Sequence, residues 1–341
     1  MSSMQSIVLM AIGSACAASF YVPFKKVKNW AWESYWIVQG VVAWLVAPWL
    51  LAYLALPEGT LMGILSESPV PAKLWSMFFG MLWGVGGLTF GLSIRFLGVA
   101  LGQSIALGFC AAFGTLIPAM LEKGNLFSDA SGILILVGVS LCIAGIAIIG
   151  YAGALKNKSL SDEERKAAIR EFALKKGLII SVLAGVMSAC FAFGLQAGEP
   201  IKEVAASKGT NPLYVTNPIL IFILLGGFVT NLVYCVFLNI KNKTAKDYIS
   251  GGAGVILNNI FFTSLAGFLW FMQFQFFGMG QSKLPAELSV FGWSMLMALN
   301  ILFSNVWGII LHEWKAVGRK TTTVLVVGLV ILILSVFVIK L

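Results

Sequence analysis

Charge is what this chain has least of. Of its 341 residues only 11% are Asp, Glu, Lys or Arg and a single one is His, against roughly 25% charged residues in soluble domains. With 59% of the residues apolar and a mean hydropathy of +0.92, the folded chain cannot have water as its solvent. No segment has the form GxxxxGK[ST], so the phosphate-binding loop of an ATPase is missing. The five cysteines, Cys16, Cys110, Cys142, Cys190 and Cys235, all fall in apolar stretches, with neither metal-site spacing nor the context of a disulfide framework. No cluster of His, Cys, Asp and Glu lies within those stretches, which argues against an intramembrane enzyme and against a bound cofactor or metal.

Cutting the sequence at every Asp, Glu, Lys, Arg and His leaves ten charge-free stretches of 19 or more residues: 1–24, 34–57, 74–94, 96–121, 130–155, 177–198, 209–240, 248–282, 288–311 and 321–339. Each is long enough to cross a bilayer, which takes about 20 apolar residues. Ten spans use up nearly all the apolar content, and the longest connections, 56–73 and 154–176, are loops and not folds. The expected fold is therefore an all-α integral membrane protein of ten transmembrane helices. The first stretch lacks a basic leader and a small-residue cleavage site, and reads as a retained span. In the middle loop, Ser161 and Glu164 stand at the N-cap and capping-box positions of a short charged helix running to Phe172.

The formal net charge of +9 has an explanation that needs no nucleic acid. Of the 23 Lys and Arg residues, 17 fall on one set of alternate connections and 6 on the other. Lys and Arg concentrate on cytoplasmic loops, so the count puts both termini outside and the middle loop inside.

Ten spans with one long basic loop after the fifth divide into two five-helix halves, and an odd number of spans per half inverts the second. The division expected is a first repeat over 1–155, a charged cytoplasmic connecting loop over 156–175, and a second repeat over 176–341. Ser14-Ala15-Cys16 returns as Ser188-Ala189-Cys190, and Gly80-Met81-Leu82-Trp83 returns as Gly267-Phe268-Leu269-Trp270. Inverted repeats are characteristic of secondary transporters, which expose a midplane site alternately to each side. The glycine pairs Gly80/Gly84, Gly87/Gly91 and Gly98/Gly102 have the spacing of close helix packing. Pro118, Pro218 and Gly226-Gly227 are either packing or flexing points.

Polar side chains inside the spans are almost all amides. A permeant ion or zwitterion calls for paired charges, whereas a neutral polyol is held by amide donors and acceptors, with an aromatic face against its C–H surface. The substrate-binding candidates are Gln39, Trp83, Gln103, Asn217, Asn258, Trp270, Gln273 and Asn305. A single Trp serves equally as an interfacial anchor and a single amide as an interhelical hydrogen bond, so it is the set that carries the argument. Without an ATPase loop, a proton or sodium gradient remains as the energy source. The carboxylates at the edge of the hydrocarbon are Glu33, Glu122, Glu199, Glu287 and Glu313, and Glu33 lies in the aromatic run from Trp30 to Trp36, where desolvation favours protonation. A carboxylate favoured at a helix N-terminus is the other reading of Glu33.

The run Tyr21-Val22-Pro23-Phe24-Lys25-Lys26-Val27-Lys28 with Trp30, Trp32 and Glu33 resembles the L-rhamnose/proton symporter family of the drug/metabolite transporter superfamily. The same holds for Gly80 to Gly108, Asn211-Pro212-Leu213-Tyr214-Val215, Leu284-Pro285-Ala286, Glu313-Trp314 and Gly318-Arg319, so that the likeness runs nearly end to end. The resemblance implies ten helices in two inverted repeats and proton-coupled uptake of L-rhamnose or a related 6-deoxy sugar across a bacterial inner membrane. It also marks Glu33 and Glu313 as the carboxylates shared with the family, hence the candidates for proton coupling. An exporter of another small polar metabolite and an importer of a different deoxy sugar such as L-fucose are the competing readings. A passive channel has no need of inverted repeats.

Overall fold

The computed structural model describes residues 2–97, 99–123, 125–158, 174–310, 314 and 317–338. The expected charged helix of the middle loop lies outside them. Among the described residues the secondary structure is helical throughout, and ten helices are long and apolar enough to cross a membrane. They are α1 (Ser2–Ser19, extended by the turn Tyr21–Phe24), α2 (Trp32–Ala55), α3 (Val70–Leu97), α4 (Val99–Lys123) and α5 (Ala130–Lys158). After the middle loop come α6 (Leu174–Ala197), α7 (Asn217–Asn242), α8 (Gly252–Gln281), α9 (Gly292–Ile310) and α10 (Arg319–Phe337). Large apolar side chains such as Leu54, Val233, Ile240 and Phe261 are exposed on these helices. That is the surface expected where lipid is the solvent, since only helices with every backbone group satisfied internally cross it.

The chain groups into two compact units, each discontinuous in sequence. Unit 1 comprises Met1–Ala11, Val85–Phe193 and Lys283–Leu341. Its centre is α5, packed on α4 and α10. The Asp129 side chain accepts the Gly132 N–H at 2.6 Å at the start of α5, and Lys156 and Lys158 close its last turn, where cations suit the helix dipole. Inside unit 1 the Trp293 indole donates to the Cys110 carbonyl at 3.2 Å and stacks on Phe191, while Thr115 and Ser294 share a 2.7 Å hydrogen bond.

Unit 2 comprises Ile12–Gly84 and Gly194–Ser282, with α2 packed on α7 and α8. Two short amphipathic helices, Thr60–Glu67 and Glu199–Ser207, bury Leu61, Ile64 and Ala205 against Ala52, Leu56 and Ile221. A 2.6 Å ion pair between Lys208 and Glu67 lies outside this core. The glycine expectation holds for the first pair: a Cβ on Gly80 would overlap the Ile223 carbonyl of α7, and one on Gly84 would press on Thr230. It fails for Gly87 and Gly91, where an added Cβ meets nothing within 4 Å. Pro218 is no flexing point, because it stands in the first turn of α7, where a missing N–H leaves no hydrogen bond unmade. Gly226 and Gly227 are packing positions, facing the α3 backbone and the Trp83 ring.

Candidate functional site

The geometry that singles out a site belongs to α2. Its first segment, Trp32–Gly40, is α-helical, the next six residues, Val41–Val46, form a π-helical segment, and Ala47–Ala55 resumes the α-helix. A π segment accommodates one residue more than the α ladder, and such segments collect at functional positions. Here the extra residue decides which side chains share a face. Trp36 and Trp44 are eight residues apart, which in a regular α-helix leaves them about 80° apart around the axis, and with one residue absorbed about 20°. Their ring centroids stand 6.2 Å apart. The Trp44 ring folds back over Gly40 so closely that a Cβ there would overlap it.

Trp44 is the hub of an aromatic cluster. It meets Trp83 of α3 edge-on at 6.4 Å and Trp270 of α8 edge-on at 5.5 Å, and Trp83 and Trp270 lie 5.5 Å from each other. Phe274 closes the group, 4.9 Å from Trp270 and 5.9 Å from Trp83. The Trp36 indole donates to Asn231 Oδ1 at 3.0 Å, and Asn231 Nδ2 donates to the Gly227 carbonyl one turn earlier at 2.9 Å. On the Trp36 side of this cluster sits Gln39, one turn along α2, and its backbone carbonyl faces Gly267, one turn before Trp270.

Gln39 is 0% exposed, and neither its amide nitrogen nor its amide oxygen has a hydrogen-bond partner. The Trp44 indole nitrogen, 2% exposed, has none either. A buried polar group left unsatisfied costs roughly 1–3 kcal/mol, so a buried primary amide with both ends open, on the helix that carries Trp36 and Trp44, suits a ligand that both donates and accepts. Hydroxyl groups do both, and indole faces suit the C–H faces of a sugar. Among the described residues no group of three His, Cys, Asp or Glu side chains is placed to hold a metal ion.

The structure therefore brings Trp83 and Trp270 together, with the Gln39 backbone against Gly267 one turn before Trp270 and Gln273 buried one turn beyond it. Asn217 does something else, donating to the Leu51 carbonyl at 3.4 Å from the first turn of α7. Asn258 donates to the Lys26 carbonyl at 2.8 Å and to Asn259 Oδ1 at 3.1 Å, while Asn259 brackets the Lys28 backbone, so this pair ties down the loop before α2. Asn305 belongs to unit 1 and donates to the Ile301 carbonyl of its own helix at 2.9 Å. The Gln103 side chain and Glu313 lie outside the described residues. Sequence reasoning missed Trp44 altogether, because nothing in Val41-Val42-Ala43-Trp44 announces a π segment.

Glu33, the first carboxylate of α2, is buried at the other end of the same helix segment. Its Oε1 accepts from Asn242 Nδ2 at 2.9 Å and from the Thr244 hydroxyl at 2.8 Å. Beside it, Asp247 Oδ2 accepts the Ala31 N–H and the Ser34 hydroxyl, both at 2.8 Å, and so ties down the start of α2. Asp247 was not among the sequence candidates.

Comparison with known proteins places this geometry. The family model described as L-rhamnose-proton symport protein (RhaT) matches residues 2–341. The chain belongs to that family. It is 36% identical over 333 residues to a protein of Yersinia pestis (strain Pestoides F) named L-rhamnose-proton symporter, covering 96% of this chain and 95% of the relative. It is 37% identical over 329 residues to one of Cronobacter sakazakii with the same name, covering 95% and 93%. Membership in the family agrees with a multi-pass membrane protein whose spans hold amides and indoles rather than paired charges.

Proposed function

We propose that this protein imports L-rhamnose, or a closely related 6-deoxy sugar, together with protons across the bacterial inner membrane by alternating access. The observation that carries the reading is the buried, unpartnered Gln39 amide beside the cluster of Trp36, Trp44, Trp83 and Trp270. In this reading the sugar hydroxyls take up the two free ends of the Gln39 amide, and an indole face covers the ring and its methyl group. Near full-length similarity to proteins named L-rhamnose-proton symporter selects the sugar. A pocket of this kind separates substrates by one methyl or hydroxyl group with only about 1–3 kcal/mol, so graded competition by L-fucose and L-mannose is expected.

Two inverted repeats, 1–155 and 176–341, are the frame we infer for alternating access. They find support in Gly80 and Gly267. Each stands three residues before its tryptophan, and each lets its helix cross a neighbouring backbone closely, at Ile223 and at Gln39 respectively. Glu33 is the proton carrier in this reading, with Glu313 as the second carboxylate. Uptake of labelled L-rhamnose by cells without another rhamnose carrier tests the proposal. Accumulation should occur and should collapse on adding a protonophore; uptake indifferent to the protonophore would contradict the coupling.

A further inference from the structure

Unit 1 carries a groove that the transport reading leaves unused. It lies between α4 and α5, has a volume of about 400 Å³, and is walled by Gly108, Phe109, Ala112, Ile146, Ala147 and Gly150. Sites for small organic ligands run from roughly 300 to 1,000 Å³. The polar side chains lining it are the hydroxyls of Ser104 and Tyr151, both at one end, so it offers a sugar ring no amide and no charge. Helix packing does not close it: a Cβ on Gly108 would meet nothing nearer than Ile146 Cγ2, at 3.9 Å. On the opposite side of α5, by contrast, Gly138 and Gly145 are pressed by Phe291 and Leu332. At the rim, Ile143 and Tyr151 are 36% and 52% exposed.

Length and charge say what covers it. From Ile143 to Ala154 the α5 wall runs eleven residues, about 16 Å at about 1.5 Å each. A hydrocarbon core of about 30 Å gives each leaflet about 15 Å. The groove therefore has the depth of one leaflet, the one beside the middle loop, where α5 ends. Ala147, Tyr151 and Ala154 line it at spacings of four and three. Four residues on, the same face of α5 carries Lys158, exposed in the last turn. Helix α6 begins at this end with Lys175 and Lys176, both exposed. It crosses α4 closely at Gly185, where a Cβ would overlap the Ala106 carbonyl, so its first turn flanks the same end of the groove. Lys176 lies over the Phe96 ring at 4.6 Å. Lys158 and Lys175 make no ion pair among the described residues. Over 156–176 seven Lys and Arg stand against four Asp and Glu, which leaves the connection an excess of positive charge.

From its depth, its apolar walls and these cations we infer that the groove seats one acyl chain of an anionic phospholipid, whose phosphate lies against Lys158 and Lys175. A hydrocarbon chain asks only for apolar walls, and the groove supplies them along its length. The Ser104 and Tyr151 hydroxyls stand at the headgroup end, where aromatic residues with a polar tip are favoured. Each lysine near a membrane surface strengthens binding of anionic lipid about fivefold. A zwitterionic headgroup brings its own cation to the same lysines and gains less. None of the residues assigned above to sugar or proton lines the groove, so the lipid inference and the symport reading stand or fall separately.

Native mass spectrometry of the full chain tests it, in detergent containing equal amounts of phosphatidylglycerol and phosphatidylcholine with the same acyl chains. The wild type should retain one phosphatidylglycerol, preferred over phosphatidylcholine by about fivefold or more. Ala147→Trp fills the groove from the α5 wall and should abolish the retention. Gly108→Leu fills it from the α4 wall with the same result, and decides the matter if Ala147→Trp does not fold. Val137→Trp adds the same bulk to an exposed position of α5 in the other leaflet and should leave retention as in the wild type. Lys158→Gln combined with Lys175→Gln should keep one lipid bound but bring the two headgroups to parity. Equal retention of both lipids by the wild type overturns the inference, as does wild-type retention of phosphatidylglycerol in the groove-filled variants. A lipid-free dimer that Ala147→Trp splits into monomers would also overturn it, by assigning the groove to a second copy of the chain.

Discussion

A single amide carries most of the argument about substrate. Gln39 is a polar side chain in an apolar stretch, and that much the sequence displays. What it does not display is that both ends of the amide are unpaired, because pairing depends on neighbours distant in the chain. Asn217, Asn258 and Asn305 looked equally promising and are each bonded to a backbone carbonyl in the structure. The difference has a measurable consequence. In the proposed reading Gln39→Ala removes both polar contacts to the sugar, worth roughly 1–3 kcal/mol, and should raise the apparent KM for L-rhamnose by about 5-fold to 150-fold. Asn258→Ala, by contrast, should leave KM within a few-fold of wild type. Initial-rate uptake over a range of sugar concentrations separates the two, and an unchanged KM in Gln39→Ala would remove this residue from the site.

Among the elements, the ten helices were legible because each is built around a charge-free stretch, and a bilayer demands little more of a sequence than length and apolarity. The π segment of α2 was not legible, since Val41-Val42-Ala43-Trp44-Leu45-Val46 reads as ordinary apolar helix. Its effect is large: it turns Trp44 onto the face of Trp36 and seats the ring against Gly40. Gly40→Ala introduces a Cβ into that ring and should displace Trp44, weakening L-rhamnose binding by at least the value of one aromatic contact, about 0.5–1.5 kcal/mol. Gly87→Ala adds the same methyl group where nothing stands within 4 Å and should be neutral. Sugar-induced changes in tryptophan fluorescence give the affinities of both variants; equal loss in the two would mean that the Trp44 contact is irrelevant. Glycine spacing alone gave no way to tell Gly80 and Gly84, which pack closely, from Gly87 and Gly91, which do not.

For the whole molecule, the placement of Lys and Arg, 17 of 23 on one set of alternate connections, predicts the orientation. In a cysteine-free background, a single cysteine at Ser207 should react with an impermeant maleimide added to intact cells, and one at Lys158 should not. Labelling at position 158 would reverse the orientation. Family membership was legible through motifs that include polar loop residues, such as Tyr21 to Lys28, because loop chemistry distinguishes one ten-helix protein from another in a way that apolar helices do not. The grouping of helices into discontinuous units was not legible, since it depends on contacts between segments far apart in sequence. Coupling between sugar and proton is the property that gathers residue, element and molecule into one claim. The direct measurement uses purified protein in liposomes with a pH-sensitive dye and no imposed gradient: L-rhamnose added outside should carry protons in and alkalinise the external medium, and a protonophore should abolish the signal. Entry of labelled L-rhamnose with no accompanying proton movement would contradict the account.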